Sequence, residues 1–228
     1  MSCRACSVLL AAIVTFGVIS PAFAQAKPKP KPAPPRPPSR EISIHGYGMV
    51  GRITFTADDS FDAVLGDSSG TIFGGGARIG LPYGGLFVDV GAWRFSGDGE
   101  RVFVSGGEVV PLNIPMEITI TPLEMSAGWQ FRIRQAPRLT PYVAGGITSY
   151  GYRETSDFAV ASEDVDDRFT GYHLMGGATV RLTRWLGVGG EFVWTTVPDA
   201  IGSGGVSAEF NEDNLGGTSL RLKIVVGR

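Results

Sequence analysis

Apolar and polar residues alternate over residues 169–196, in two runs separated by a three-residue connection. The apolar parity holds Tyr172, Leu174, Ala178, Val180 and Leu182, and then Leu186, Val188, Phe192 and Trp194. Alternation with a period of two is typical of β-strands that have one apolar face. The runs reach or exceed the ~9–11 residues that a tilted strand needs to cross a bilayer. The pattern therefore predicts a membrane-spanning hairpin.

Similar alternating runs cover most of the chain from residue 42 onward, and no helical period of useful length is present. The predicted strands are residues 42–56, 71–81, 86–95, 116–134 and 140–153, the two runs of the hairpin, and 214–227. The apolar parity changes near Gly46 and Gly48 and again at Pro122, and we interpret each change as a β-bulge. Residues 96–115 are predicted as a loop that contains a small hairpin.

Short and long connections alternate between these strands. The short ones are residues 82–85, 135–139 and 183–185, and the long ones are 57–70, 96–115, 154–168 and 198–211. This alternation is typical of outer-membrane barrels, and a sheet in lipid must close because open edges leave backbone groups unpaired. The sequence predicts an all-β fold, a closed eight-stranded antiparallel up-and-down transmembrane β-barrel with a lumen filled by side chains. A soluble lipocalin-like barrel, which also has eight strands, is the alternative.

The first 40 residues form two segments of different composition. A basic start, the apolar run 8–19 and Ala22-Phe23-Ala24 predict a signal peptide over residues 1–24. Residues 25–40 are rich in Pro and Lys and predict an extended periplasmic linker. Residues 41–228 are the predicted barrel domain. The only cysteines, Cys3 and Cys6, lie in the predicted signal peptide, so we expect no disulfide in the mature chain.

Charge is divided unevenly between these segments. Six of the 20 Lys and Arg residues precede residue 41, and all 22 Asp and Glu residues lie from residue 41 onward, which leaves the barrel domain with a net charge of −8. A basic tail on an acidic body argues against nucleic acid as a partner.

Charged residues of the predicted strands share the parity opposite the apolar face. They are Asp89, Glu124, Arg132, Arg134, His173, Arg181, Glu191, Arg221 and Lys223. A basic side chain facing lipid at mid-depth costs ~2–4 kcal/mol, so this parity marks the lumen. An eight-stranded barrel is just wide enough for side chains to fill it. We interpret the nine residues as a structural network of paired charges inside the barrel.

Six aromatic residues near predicted strand ends suit the aromatic girdles of a membrane barrel, although some of them could fill the lumen instead. They are Tyr47, Trp129, Tyr150, Tyr152, Trp185 and Trp194.

Two groupings of residues raise the alternative of catalysis. Ser43 lies two residues from His45, and Ser126 lies two residues from Glu124, so each pair shares a strand face. Such groups could serve an esterase that activates serine, but no nucleophile-elbow motif accompanies them. The acidic run 163–167 offers carboxylates to calcium or magnesium without the spacing of an EF-hand, and a solvated loop is the favoured interpretation. We expect no catalytic residue, no cofactor and no metal.

From residue 42 to residue 228 the chain resembles the OmpA/OmpX-type outer-membrane β-barrel domain family. The resemblance rests on the signal peptide, the eight alternating strands, and glycine-rich segments at residues 74–80 and 141–146. It implies assembly by the barrel-assembly machinery with periplasmic chaperones, and roles in envelope integrity, adhesion or surface interaction.

The predicted function is therefore structural or interactive. We expect a monomer in the cell outer membrane that contacts outer-membrane lipids and lipopolysaccharide, with acidic external loops and a basic arm that could touch cell-wall polymer. The alternatives are a lipid A-modifying enzyme of the deacylase or acyltransferase type, and a soluble lipocalin-like binder of small molecules.

Overall fold

The chain forms a closed antiparallel barrel of eight strands. The computed structural model describes residues 42–105, 108–156, 165–202 and 204–227. The strands are β1 (Ser43–Phe55), β2 (Ser69–Gly80), β3 (Leu86–Ser105), β4 (Glu108–Gln130), β5 (Leu139–Ser156), β6 (Val165–Arg181), β7 (Leu186–Thr196) and β8 (Gly217–Gly227). Each strand pairs with the next and β8 pairs with β1, which confirms the predicted fold. The predicted signal peptide and linker lie outside the described residues.

The barrel closes through a continuous ladder between its first and last strands. The pairing runs from His45 opposite Gly227 to Phe55 opposite Gly217 without a change of register. Closure leaves no sheet edge exposed along these strands, as a structure surrounded by lipid requires.

The two faces of the barrel wall are reversed relative to a water-soluble protein. On β8, Leu220, Leu222 and Ile224 point outward and are 67%, 68% and 59% exposed, whereas Arg221 and Lys223 between them point inward and are buried. The other strands expose apolar residues in the same way, and the exposed side chains include Val50, Phe73, Leu123, Met125, Val143, Ile147, Leu174 and Phe192. An apolar outer face and a charged interior fit a lipid-embedded barrel.

The β1–β2, β3–β4, β5–β6 and β7–β8 connections leave the barrel at one end, which we call the loop end, and the other three connections lie at the opposite end, the turn end. At the turn end, residues 81–85 close a turn in which Gly84 and Gly85 have φ of 64° and 117°, values that favour glycine. Residues 131–138 and 182–185 form the other two turns. The three short turns and the long β1–β2 and β7–β8 connections agree with the predicted alternation, whereas β3 and β4 continue to Ser105 and Glu108 and leave no long loop between them.

The predicted β-bulges in the first and fourth strands are wrong. β1 keeps one register against β2 throughout, and β4 keeps one register against β5 from Met116 to Gln130. The parity of apolar residues changes because the residues that line the lumen change from polar to apolar toward the loop end, so that inward-pointing positions become apolar there. Ile53 and Ile118 point into an apolar part of the interior near the loop end, whereas Leu123 and its successors point outward to lipid.

Strands β3 and β4 extend well beyond their predicted limits. β4 pairs with β5 no further than Met116 opposite Ser156, but β3 and β4 continue together to Ser105 opposite Glu108. The register of β3 against β4 shifts between Glu100 and Val102. The small hairpin predicted within residues 96–115 is thus the end of one long hairpin.

Two short helices at the loop end were not predicted. Helix α1 (Asp58–Leu65) ends at Gly66, which has the left-handed φ of 75°, and α2 (Gly205–Glu209) follows β7. Each helix has too few residues for a helical period to be visible in the sequence. No helix among the described residues has the length and apolarity required to cross a membrane.

Helix α1 and the connection from β7 to β8 close the loop end of the lumen. Phe61 of α1 stacks on Phe55 with ring centroids 4.1 Å apart. Val197, Ala200 and Leu215 pack in the same buried cluster. The side chain of Glu212 fixes α1, because it accepts hydrogen bonds from the backbone N–H groups of Asp59 and Ser60 at 3.2 and 2.9 Å. We call this assembly the loop-end cap.

Candidate functional site

A buried pair of opposite charges lies at the centre of the lumen. Nη1 and Nη2 of Arg221 donate to Oε2 and Oε1 of Glu124, each at 2.7 Å. Trp93 Nε1 also donates to Glu124 Oε1 at 2.7 Å, and Arg221 Nε donates to Ser219 Oγ at 3.0 Å. This two-pronged contact uses the fork geometry of guanidinium and carboxylate.

Glu191 connects this pair to the next basic residue toward the turn end. Its Oε2 accepts hydrogen bonds from Lys223 Nζ at 2.7 Å and from the Tyr142 hydroxyl at 2.8 Å. Its Oε1 lies 3.7 Å from Arg221 Nη1. Arg78 Nη2 also lies 3.9 Å from Glu191 Oε2, so Glu191 is shared among three cations.

Asp89 and Arg78 form the third buried pair. Arg78 Nε donates to Asp89 Oδ2 at 2.8 Å, and the Tyr47 hydroxyl donates to Asp89 Oδ1 at 2.6 Å. The Arg78 guanidinium lies 4.2 Å from the ring centroid of Phe87 and 4.0 Å from that of Tyr142. Contact with two aromatic faces stabilises a cation that is largely shielded from water.

Glycines make room for the tyrosines of this network. A Cβ atom on Gly76 or Gly91 would lie 2.6 Å from the Tyr47 hydroxyl, and one on Gly177 would lie 2.8 Å from that of Tyr142. From the sequence, the glycines at residues 74–76 indicate only that the strand can curve. In the structure, Gly76 also provides space for a lumen side chain.

The lumen network as a whole is close to electrically neutral. Its carboxylates are Asp89, Glu124 and Glu191, and its cations are Arg78, Arg221 and Lys223. Buried charges are tolerated when they are paired and hydrogen-bonded, and each of these has such a partner. Because these side chains fill the barrel below the loop-end cap, the structure provides a plugged lumen.

His173 adds a hydrogen-bonded imidazole to this interior. Its Nε2 is 2.7 Å from Ser126 Oγ and its Nδ1 is 2.6 Å from Thr148 Oγ1. All three residues are buried. The serine and histidine are thus close enough for proton transfer, but their second partner is a threonine in place of an acid and they lie inside the plugged lumen.

Six of the nine residues assigned to the lumen network from the sequence lie in it or against it. These are Asp89, Glu124, His173, Glu191, Arg221 and Lys223. Arg132, Arg134 and Arg181 are exposed at the turn end, so their assignment to the network is wrong. Arg132 and Arg134 follow the end of β4 at Gln130, and strand parity no longer defines the direction of a side chain beyond that residue. Arg181 is the last residue of β6, so it lies at the exposed end of the lumen, away from the buried pairs.

The sequence pattern missed Arg78 and the aromatic partners of the network. Arg78 pairs in register with Asp89 across β2 and β3, which is the signal that could have identified it. Tyr47 and Tyr150, considered for the aromatic girdles, point inward and pack with the core. Trp129, Trp185 and Trp194 are exposed on the barrel, as girdle residues would be.

The other residues considered from the sequence are distributed over both ends. Ser43 and His45 are half-buried on β1 at the turn end and share no hydrogen bond within the described chain. Asp58, Asp59 and Glu212 have carboxylate oxygens within 4.8 Å of one another at the loop-end cap, where Glu212 already binds backbone N–H groups. Glu163 and Asp164 of the predicted acidic run lie outside the described residues.

A cavity of about 660 Å³ opens at the turn end of the lumen. Tyr47, Arg78 and Lys223 form its inner wall, where they belong to the charged network. Residues of the turns and strand ends, including Arg132, Arg134, Arg181 and Arg184, form its rim. The described residues thus provide two ends of opposite character, an apolar cap at the loop end and a basic cavity at the turn end.

Comparison with known families identifies the family to which this barrel belongs. The family model for the outer membrane protein beta-barrel domain matches residues 10–223. The chain belongs to this family. It is accordingly an outer-membrane β-barrel protein, and the apolar outer face of its strands is the face that contacts lipid.

Solved structures share the barrel at low sequence identity. A major outer membrane protein from Thermus thermophilus is 12% identical, with a TM-score of 0.52, and the match covers 82% of this chain and 99% of that one. Neisserial surface protein A is 11% identical with a TM-score of 0.49, covering 81% and 96% of the two chains. The N-terminal β-barrel domain of Pseudomonas aeruginosa OprF is also 11% identical, with a TM-score of 0.43 and coverages of 81% and 97%. Comparison with curated proteins finds no significant match.

Proposed function

We propose that this protein is a non-catalytic surface-interaction protein of the outer membrane, which acts through the loop end of its barrel. The observation that carries the proposal is the long β3–β4 hairpin. Between Glu100 and Pro115 the two strands pair only with each other among the described strands. The hairpin therefore projects beyond the barrel wall.

The projecting hairpin displays apolar side chains to solvent. Phe103, Val109, Val110 and Leu112 are 60%, 38%, 44% and 48% exposed. The charged residues Glu100, Arg101 and Glu108 lie on the same hairpin beside these apolar residues. An exposed apolar group with a polar rim is the arrangement of a contact site for another macromolecule.

The interior of the barrel favours a role at its exposed end, because transport would require an open path through the lumen. The network of Arg78, Asp89, Glu124, Glu191, Arg221 and Lys223 fills the middle of the lumen, and the loop-end cap covers it. Among the described residues, these paired charges occupy the space that a solute path or an apolar pocket of the lipocalin type would need. The lipocalin-like alternative loses its basis in this arrangement.

The proposal includes the orientation and partners predicted from the sequence. Short turns of bacterial barrels face the periplasm and long loops face outward. The turn end and the residues 25–40 linker would then be periplasmic, with residues 1–24 removed as a signal peptide. The expected partners are outer-membrane lipids and lipopolysaccharide, the barrel-assembly machinery and its chaperones, and cell-wall polymer near the linker, for a monomeric barrel.

The experiment compares adhesion and envelope integrity in one set of strains. A strain lacking the gene is complemented with the wild type, with a variant carrying Phe103→Ser, Val109→Ser, Val110→Ser and Leu112→Ser, or with Tyr83→Ser. Tyr83 is a matched control because it is 70% exposed at the opposite, turn end. Outer-membrane levels of each protein are measured first, and then cell-to-cell and cell-to-surface attachment and sensitivity to detergent.

We expect the hairpin variant to reach the outer membrane at wild-type levels and to restore detergent resistance, but to lose attachment. The Tyr83→Ser control should restore both properties. Wild-type attachment by the hairpin variant would contradict a role for the apolar tip. A deletion strain with neither defect would contradict the proposed function as a whole.

A further inference from the structure

The turn end of the barrel carries an excess of positive charge that the lumen network does not use. The turns and strand ends at residues 81–86, 130–140 and 181–187 contain five arginines and no Asp or Glu. They are Arg132, Arg134, Arg138, Arg181 and Arg184. The rest of the barrel domain has a net negative charge, so this concentration is a local feature of one end.

Four of these arginines surround the 660 Å³ cavity described above. Arg132 and Arg134 come from the β4–β5 turn, and Arg181 and Arg184 come from β6 and the β6–β7 turn. His45 and Trp185 also line the cavity, and no acidic residue does among those described. Two separate turns therefore direct like charges to one opening, although like charges repel one another.

The cations inside the cavity and those at its rim differ in their partners. Arg78 and Lys223 at the inner wall are paired with Asp89 and Glu191 at 2.8 and 2.7 Å. The rim residues Arg132, Arg134, Arg181 and Arg184 are exposed, and within the described part of the chain none of them forms an ion pair. The positive charge of the rim is therefore available to a ligand.

We propose that the turn-end cavity is a binding site for a phosphate-bearing anion. Guanidinium groups match phosphate oxygens in two-pronged geometry and keep their charge at any physiological pH. A concave site with low-dielectric walls and one sign of charge concentrates counter-ions. The cavity volume falls within the ~300–1,000 Å³ usual for sites that bind small molecules.

The phosphate has two possible sources, which share this chemistry. One is the headgroup of an anionic phospholipid in the adjacent leaflet, since the rim lies at the end of the lipid-facing strands. The other is a soluble phosphorylated compound that enters the cavity from the aqueous side. The site goes beyond the proposed surface role, which concerns the opposite end of the barrel and would stand or fall independently.

The test uses the folded barrel in uncharged detergent micelles and in lipid discs. Pyrophosphate is titrated into the micellar protein by calorimetry at low ionic strength. In parallel, the protein is extracted from discs of phosphatidylcholine containing phosphatidylglycerol, and the retained lipid is identified by mass spectrometry. The turn-end variant carries Arg132→Gln, Arg134→Gln, Arg181→Gln and Arg184→Gln.

A control variant makes the same change in net charge toward the loop end, with Arg52→Gln, Arg94→Gln, Arg153→Gln and Arg168→Gln, which are all exposed. All proteins are first checked for the change of gel mobility on heating that marks a folded barrel. If the fourfold turn-end variant does not fold, the single variants Arg134→Gln and Arg184→Gln replace it, because both residues lie in turns outside the strands.

Saturable pyrophosphate binding that is about tenfold or more weaker in the turn-end variant, and kept in the control variant, supports the site with a soluble ligand. Retention of phosphatidylglycerol by the wild type and the control, but not by the turn-end variant, supports the site and identifies its ligand as an anionic lipid. The proposal is overturned if the wild type shows neither behaviour, or if both variants lose binding equally.

Discussion

The side chains at the centre of the barrel carry charge in a place where isolated charge would be very unfavourable. Glu124 accepts two hydrogen bonds from Arg221 and a third from Trp93, each at 2.7 Å. Removing one partner of a buried pair leaves the other charged and desolvated. The stability of the lumen therefore depends on pairing more than on the presence of charge.

Glu124→Gln should lower the free energy of unfolding by about 3–5 kcal/mol, because Arg221 keeps its charge and loses its partner. The double variant Glu124→Gln/Arg221→Met should recover part of this loss. Urea unfolding in lipid vesicles measures both, with Glu117→Gln as the control, since the Glu117–Arg94 pair at 3.8 Å is exposed and solvent-exposed ion pairs contribute little to stability. Equal effects of Glu124→Gln and Glu117→Gln would contradict this account of the lumen.

Glycine has a spatial role beside the tyrosine hydroxyls. Gly91→Ala would place a Cβ 2.6 Å from the Tyr47 hydroxyl and displace it from Asp89, which we expect to destabilise the barrel by about 1–3 kcal/mol. Gly48→Ala is the control, because its Cβ would have no neighbour within 4 Å. Both are measured by the same unfolding experiment, and equal stability of the Gly91→Ala and Gly48→Ala variants would refute the spatial role.

At the scale of the elements, the loop-end cap is a separate layer built on the barrel. It consists of α1 and the β7–β8 connection, which are joined by Glu212 and packed through Phe61, Val197 and Leu215. The barrel strands beneath it are held by continuous ladders. Elements with few ladder contacts open more readily than the strands that support them.

Phe61→Ala should remove the stack on Phe55 and destabilise the cap by about 3–5 kcal/mol while leaving the barrel folded. Hydrogen exchange should become faster for α1 amides and remain unchanged for the middle of β1. Tyr83→Ala, at an exposed aromatic residue of the turn end, provides the control. If exchange in the strands rose together with that of α1, the cap would be part of one cooperative unit with the barrel.

The elements also show where sequence patterns are informative. Alternation identified all eight strands because lipid imposes an apolar outer face along the membrane-spanning part of each strand. It misplaced the ends of β3 and β4, because their projecting hairpin is no longer held by that constraint. It gave false bulges at Gly46 and Pro122, because the lumen changes from polar to apolar toward the loop end. Helix α1 has only 8 residues and leaves no period to detect.

The lumen network could be predicted where strand parity held and not beyond it. Arg221, Lys223, Glu124 and Glu191 follow directly from the inward parity of their strands. Arg132 and Arg134 were misplaced because β4 ends at Gln130. Partner choice within the lumen could not be predicted, since it depends on how eight strands bring distant side chains together across the barrel.

At the scale of the whole molecule, the barrel has three zones along its axis. The loop end combines an apolar cap with a projecting hairpin, the middle is a neutral network of paired charges, and the turn end is a basic cavity. Plugging the lumen leaves the two ends as the accessible surfaces. The proposed surface role and the proposed anion site follow from this division.

Closure of the barrel between β1 and β8 is the central claim, and cross-linking in isolated outer membranes tests it most directly. Val50 and Leu222 are opposite each other across this seam and both point outward. A Val50→Cys/Leu222→Cys variant should form an internal disulfide or react with a short bifunctional thiol reagent. Val50→Cys/Val143→Cys should not, because β5 is four strands away in the closed order. Absence of the first cross-link in the membrane fraction, or equal cross-linking of both pairs, would contradict a closed eight-stranded barrel.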